Sequence, residues 1–213
     1  MWKKMATLER MLNPKVVAVI GATDREDSVG QALMKNLLLG KDRRAIYPVN
    51  PTRENVMGLK CYPDISKVQE HVDLAVIATP SRTVPALVEE CGKAGADGLV
   101  IVSAGFREIG EEGLKLEHEI KRILAKYDMR ILGPNCVGVI RPHAALNATF
   151  LRDNPESGQI AFVSQSGALG SAILNWAVNA HIGFSMFASL GSTLDMDYGD
   201  MIDYLGEDPN TKS

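Results

Sequence analysis

VVAVIGATDREDSVGQAL, residues 16–33, decides the fold class. Val16–Ile20 is an unbroken apolar β-rich run, and Gly21 closes it with a tight turn. Ser28 then stands where a helix cap belongs, and Val29, Leu33, Leu37 and Leu38 recur at helical spacing. Strand, glycine turn and helix, in that order, open a βα unit.

The alternation repeats downstream. RAIYPVNP (44–51), DLAVIATP (73–80), GLVIVSAG (98–105) and RILGPNCVGVI (130–140) read as further strands. Residues 83–94 and 110–126 read as helices, the second with Leu114, Ile120, Ile123 and Leu124 facing inward. The strands are runs of Val, Ile, Leu and Ala without polar alternation. Such runs mark strands covered on both faces, as in a parallel sheet with helices on either side. A doubly wound, Rossmann-like α/β domain is expected over residues 1–141.

Residues 142–158 carry two prolines, several polar residues and little periodicity, and read as a linker. A second α/β unit opens at residue 159, with strands at 159–167 and 182–190 and helices at 168–180 and 197–206. Two strands leave an unpaired sheet edge, which proteins avoid. The second domain is therefore expected to be truncated, and its open edge makes a homo-oligomer a possible assembly.

Composition bounds the function. The chain has 213 residues, of which 46% are hydrophobic and 23% charged, enough for a buried core and a hydrated surface. A net charge of −3 argues against nucleic-acid binding, which needs a basic face. No apolar run reaches the roughly 20 residues that span a bilayer. The opening MWKKMATLERML lacks the apolar core of a signal peptide. It reads as an amphipathic packing helix with Met5, Leu8, Met11 and Leu12 on one side. Cys61, Cys91 and Cys136 are odd in number and widely spaced. They predict reduced thiols and a cytoplasmic setting.

The first glycine turn suits phosphate. A helix start presents free backbone N–H groups and the positive end of the helix dipole. Gly21 allows the turn, Gly30 allows close backbone approach, and Ser28 either caps the helix or meets a phosphate. A dinucleotide is the obvious ligand, but the turn GATDREDSVG lacks the middle glycine of G-x-G-x-x-G. The second strand also ends at Asn50, Pro51 and Arg53, where a dinucleotide site wants an acid for the ribose hydroxyls. A cation there suits a ribose phosphate such as that of coenzyme A. The remaining strand ends, ATPS (78–81), SAGF (103–106) and GPNC (133–136), are rich in small residues and backbone donors.

FVSQSGALGSAI (162–173) repeats this logic, with Ser164 and Ser166 at a strand end and Gly167 opening a helix. It is no nucleophile elbow, because no glycine stands two residues before Ser166. A capped helix and a phosphoryl site both remain open there. Asp195, Asp197, Asp200 and Asp203 read as helix capping and a solvated face. His71, His118, His143 and His181 show no ligand spacing, and His118 falls on a charged helix face.

GATDREDSVG, YPVNP, IATPS, SAGFRE, GPNCVG and FVSQSGALG occur in that order over almost the whole chain. Together they resemble the amino-terminal part of the ADP-forming acyl-CoA synthetases and, more distantly, the α subunit of succinyl-CoA synthetase. The resemblance implies a flavodoxin-like second domain. It also implies interconversion of acyl-CoA, phosphate and ADP with carboxylic acid, CoA and ATP, through an acyl phosphate and a phosphohistidine. By the same resemblance Gly21, Ala22, Thr23, Ser28 and Gly30 hold CoA phosphates, and Asn50, Pro51 and Arg53 line the nucleotide end. Thr52 stands where the family often has lysine. Pro80, Ser103, Gly105 and Phe106 border the pantetheine path, Asn135 sits near the thiol, and Ser166 and Gly167 hold the phosphate.

No histidine of the chain matches the phosphorylated one. ATP or ADP with Mg is expected on an ATP-grasp domain or subunit, and this chain is expected to bind CoA without turnover. A non-catalytic CoA-sensing module, fused for instance to an acetyltransferase, is the alternative, and an NAD(P)-dependent oxidoreductase the third reading.

Overall fold

Each of the five apolar runs read as a strand of the first unit contributes one strand to the first sheet. The computed structural model describes residues 2–212. It starts with α1 (Trp2–Leu12), β1 (Val16–Ile20), α2 (Val29–Leu38) and β2 (Ala45–Val49). A small antiparallel hairpin follows, β3 (Asn55–Val56) and β4 (Leu59–Lys60). Next come β5 (Leu74–Ile77), α3 (Val84–Lys93), β6 (Gly98–Ile101), α4 (Glu111–Leu124) and β7 (Arg130–Leu132). The second unit holds β8 (Gly138–Arg141), β9 (Leu146–Thr149), β10 (Ser157–Ser164), α5 (Gly167–Asn179), β11 (Phe184–Ser189) and α6 (Tyr198–Glu207).

The first sheet has five parallel strands in the order β2-β1-β5-β6-β7. Its strands β1, β5 and β6 are buried along their whole length, as strands covered on both faces must be. One face packs on α1 and α2 through Val17, Val19, Leu33 and Leu37. The other packs on α3 and α4 through Ile77, Val88, Cys91 and Ile120. The opening helix is amphipathic as expected: Leu8, Met11 and Leu12 are buried, and Met5 packs against them.

Helix α4 corrects one detail of the sequence reading. Leu114 is 40% exposed, and Glu117, only 1% exposed, faces inward instead. The cause is close approach at Gly113, where a Cβ would lie 1.7 Å from the Phe106 carbonyl oxygen. That approach turns positions 113, 117 and 120 toward the sheet. Glu117 is tolerated there because the Arg107 guanidinium meets its carboxylate at 2.6–3.0 Å.

The stretch expected as a linker, 142–158, instead carries β9 and the first residues of β10. The run 130–140, expected as one strand with its loop, is split at Gly133–Asn135. Its second part, β8, belongs to a second sheet ordered β10-β11-β8-β9. In that sheet β10 and β11 are parallel, and β8 pairs antiparallel with both β11 and β9. The edge of β11 away from β10 is therefore paired.

The two units are tied together. Segment 192–196 runs beside the end of β7, with Met196 N–H donating to the Ile131 carbonyl at 3.1 Å and Leu194 N–H to that of Gly133 at 3.1 Å. Buried Arg130 reaches Asp195 at 2.9 Å and Asp200 at 2.8 Å. Asp197 caps α6 in a capping box with Asp200. The acidic run thus caps a helix and joins the units. No helix among the described residues is long and apolar enough to cross a membrane.

Candidate functional site

In the first sheet β1 lies between β2 and β5, so the winding reverses beside it. In open α/β sheets ligands bind beyond the carboxyl ends of the strands at such a point. The glycine turn after β1 lies there. Gly21 has φ +91°, and a Cβ on it would come within 2.6 Å of the Ala78 carbonyl oxygen beyond β5. A Cβ on Gly30 would lie 2.3 Å from the Gly21 carbonyl oxygen. The start of α2 is thereby pressed onto the turn.

Ser28 is the N-cap of α2: its Oγ accepts from Gln31 N–H at 3.3 Å and donates to the Arg25 carbonyl at 2.6 Å. Its hydroxyl is committed locally. The N–H groups of Val29 and Gly30, in the first turn of α2, have no partner within the helix. Ala22 is buried and Thr23 half-buried; Thr23 Oγ1 accepts from Arg25 N–H at 3.1 Å. At the end of β2, Asn50 Nδ2 donates to the Ala22 carbonyl at 2.9 Å. Arg53 pairs with Asp24 at 2.5 Å, and both stay substantially exposed, with Pro51 exposed beside them. The sequence placed a cation beyond β2; the structure turns it toward the first glycine turn.

The ends of β5, β6 and β7 are stitched by hydrogen bonds. Thr79 N–H donates to Ser103 Oγ at 3.2 Å, and Asn135 N–H to the Ser103 carbonyl at 2.9 Å. Asn135 has φ +54° and is exposed. Gly105 has φ +104°, and a Cβ there would lie 2.6 Å from Ser81 Oγ.

These strand ends border a cavity of about 910 Å³. Ser103 and Asn135 line it from the first unit, Ser166 and Gly167 from the second. Ser166 caps α5 by accepting from Leu169 N–H at 3.2 Å, which leaves the N–H groups of Gly167 and Ala168 without helical partners. Val29, in the first turn of α2, also lines the cavity. Two helix N-termini from two units thus converge on one space, and the positive end of each favours an anion.

Of the residues expected at the site only Ser103, Asn135, Ser166 and Gly167 line this cavity; Gly21, Ala22, Thr23, Ser28, Gly30, Asn50, Pro51, Arg53, Pro80 and Gly105 do not, and the Phe106 side chain is fully buried in the core beside α4. Only its backbone can face a ligand. Sequence reasoning missed Arg107, Glu108, Cys136 and Phe150, which also line the cavity. The motif SAGFRE carried the first two, but nothing in it showed which side chain turns inward. Burial pushes the Cys136 thiol up to about 12, so it stays protonated. No histidine is among the lining residues.

Comparison with known proteins shows the family. The family described as a CoA binding domain matches residues 15–142, and the succinyl-CoA ligase like flavodoxin domain matches residues 157–213. The chain is 46% identical over 204 residues to acetate–CoA ligase [ADP-forming] I of Archaeoglobus fulgidus, covering 96% of this chain and 30% of that protein. It is 43% identical over 206 residues to the α subunit of acetate–CoA ligase [ADP-forming] II of Pyrococcus furiosus, covering 97% of this chain and 45% of that subunit. A solved structure of the dinucleotide forming acetyl-coenzyme A synthetase 1 of Ca. Korarchaeum cryptofilum, in complex with phosphate and ADP, superposes with a TM-score of 0.91 at 44% identity. That match covers 96% of this chain and 44% of the other. The chain thus spans less than half the length of these relatives. It belongs to the family of CoA binding domains, here joined in one polypeptide to a flavodoxin-like domain of the succinyl-CoA ligase type.

Proposed function

We propose that this chain is the CoA- and phosphate-holding part of an ADP-forming acid–CoA ligase. The observation that carries this reading is the convergence of two helix N-termini, from α2 and α5, on one cavity of about 910 Å³. CoA is long and carries phosphates at one end and a thiol at the other. The turn of Gly21, Ala22 and Thr23 with the start of α2 at Ser28 and Gly30 receives the diphosphate. Asn50, Pro51 and Arg53 face the adenosine end. Arg53 leaves Asp24 for the 3′-phosphate, a charge-assisted contact stronger than an exposed ion pair. The pantetheine arm passes the backbone of Ser103, Gly105 and Phe106 and delivers the thiol near Asn135.

The start of α5, Ser166 and Gly167, holds inorganic phosphate next to the thioester. An oxygen of that hydrogen phosphate attacks the thioester carbonyl, the carbon–sulfur bond breaks, and an acyl phosphate forms as CoA leaves, its sulfur taking up the proton that the phosphate loses. Fixed N–H groups at Gly167 and Ala168 oppose the phosphate charge without reorganising during the step. Transfer of the phosphoryl group to ADP requires a histidine and a nucleotide site that this cavity does not supply. An ATP-grasp domain or subunit, with its Mg, is the partner proposed for that half of the reaction; the Pyrococcus furiosus relative is itself named as an α subunit. The setting is proposed to be cytoplasmic, in keeping with three reduced, buried cysteines.

Calorimetric titration tests the reading. CoA is expected to bind the 213-residue chain, 3′-dephospho-CoA to bind it more weakly, and NADH to give no signal. Binding of NADH without CoA sinks the proposal and restores the dehydrogenase reading. No ATP is expected from acyl-CoA, phosphate and ADP with this chain alone.

A further inference from the structure

Among the described residues, the cavity between the two units is lined by two charged side chains, Arg107 and Glu108. The positive one is already spent. Its guanidinium binds both carboxylate oxygens of Glu117, which is 1% exposed, and this bond holds the arginine pKa above its ordinary value. The negative one is fixed in place: Glu108 Oε1 accepts from Gly105 N–H at 2.5 Å. Burial opposes its charge, but the backbone N–H groups of Gly105, Glu108 and Phe106, with the neighbouring Arg107, outweigh burial and hold the carboxyl below the usual range. Among the described residues no lysine, arginine or histidine forms an ion pair with it. The cavity therefore presents one exposed carboxylate, held by backbone N–H groups and the neighbouring Arg107 charge but by no ion pair, on the wall built by the first unit, while the helix start that favours anions, at Gly167, belongs to the second. The rest of the lining includes Val29, Val102, Val137 and Phe150, which suit an apolar acyl group.

We propose that Glu108 is a specificity-determining residue that turns away acyl groups bearing a second carboxylate and so restricts the site to monocarboxylic acids. This rests on the reading of the cavity as the thioester site. The reacting carboxyl and the phosphate sit at the start of α5. A distal carboxylate on the acyl group meets a fixed like charge and finds no free cation to offset it. Like-charge juxtaposition is a recognised way of rejecting a wrong ligand.

The test is the ratio of dissociation constants for succinyl-CoA and acetyl-CoA, measured by calorimetry on the 213-residue chain. The methyl ester of succinyl-CoA serves as a neutral ligand of similar size. The unaltered chain is expected to favour acetyl-CoA over succinyl-CoA by about tenfold and to bind the methyl ester better than the free acid. Glu108→Gln keeps an acceptor for Gly105 N–H and removes the charge, so the ratio is expected to fall about fivefold or more. Glu108→Asp keeps the charge and is expected to retain most of the discrimination. An unchanged ratio in Glu108→Gln, or equal binding of the free acid and its ester by the unaltered chain, overturns the proposal. If the unaltered chain binds neither CoA nor acetyl-CoA, the functional reading beneath it fails as well.

Discussion

Asn50, at the end of β2, donates from Nδ2 to the carbonyl of Ala22 in the turn after β1, at 2.9 Å. Its Oδ1 accepts from Thr52 N–H at 3.0 Å and Thr52 Oγ1 at 2.9 Å. One amide thus sets the spacing of the two loops assigned to the adenosine and diphosphate of CoA. Asn50→Asp keeps the acceptor, loses the donor and places a negative charge where the ribose phosphate is expected. CoA affinity should drop about tenfold or more, with a stability loss of about 1 kcal/mol. Titration with CoA and 3′-dephospho-CoA checks this. The loss should be larger for CoA, which carries the extra phosphate.

Gly30 is a glycine for steric reasons. A Cβ at this position would sit 2.3 Å from a backbone oxygen of Gly21, which has no flexible side chain to move aside. Gly30→Ala must push α2 away from the turn it presses on. A destabilisation of about 1–3 kcal/mol is expected by denaturant unfolding, with CoA binding lost. Gly206→Ala is the control: a Cβ there meets nothing within 4 Å.

Arg130 links the two units from a position only 7% exposed on its side chain. Asp195 Oδ2 accepts from Arg130 Nε at 2.9 Å and from Ile131 N–H at 2.8 Å. Asp195→Ala removes both bonds and leaves the guanidinium with Asp200 alone. Asp200 still faces the guanidinium, so the cost is that of the lost charged hydrogen bonds, about 2 kcal/mol. Asp203→Ala, in the same acidic run but exposed, should change stability by under about 0.5 kcal/mol. Urea midpoints of the two variants decide between a capping run and a link between units.

Much of this was legible in the sequence. The first unit is built of buried parallel strands, and continuous apolar runs such as Val16–Ile20 signal that directly. Gly21, Ser28 and Ser166 were legible because turn and cap chemistry is local. What escaped is non-local. LNAT at 146–149 is short and half polar, and it becomes a strand only because β8 offers an antiparallel partner. Arg130 and Asp195 are 65 residues apart, so no local pattern pairs them. Glu117 reads as a solvated helix position until Arg107, ten residues earlier, is seen to reach it. Phe106 lies in a motif of small residues and looks available to a ligand, yet its ring fills the core under α4.

The amino-terminal ends of the inner strands β5 and β6, opposite the strand ends that border the cavity, contribute to the acid sensitivity of the fold. Asp97 receives Arg10 in a two-pronged contact, 2.7 Å at each oxygen, and His71 Nε2 lies 2.7 Å from Oδ2. His71, Asp73 and Asp97 lie close enough together to suggest a metal site. The oxygens of Asp97 are taken by Arg10, however, and Asp73 Oδ2 accepts from the N–H groups of Lys15 and Val16. Burial opposes the charge of Asp97, but the bonds from Arg10 and His71 outweigh it and hold the carboxyl below its ordinary 3.8. The folded state therefore binds fewer protons than the unfolded chain over the range between the two values. The resulting stabilisation is complete above the unfolded value and is lost as pH falls through the folded one. Asp97→Asn should cost about 1–2 kcal/mol at pH 7. The gap to the unaltered protein should hold down to about pH 5 and close progressively below about pH 4. Urea unfolding of both proteins at several pH values measures it. A gap that stays constant into strong acid would show that packing, and not the charge on Asp97, is responsible.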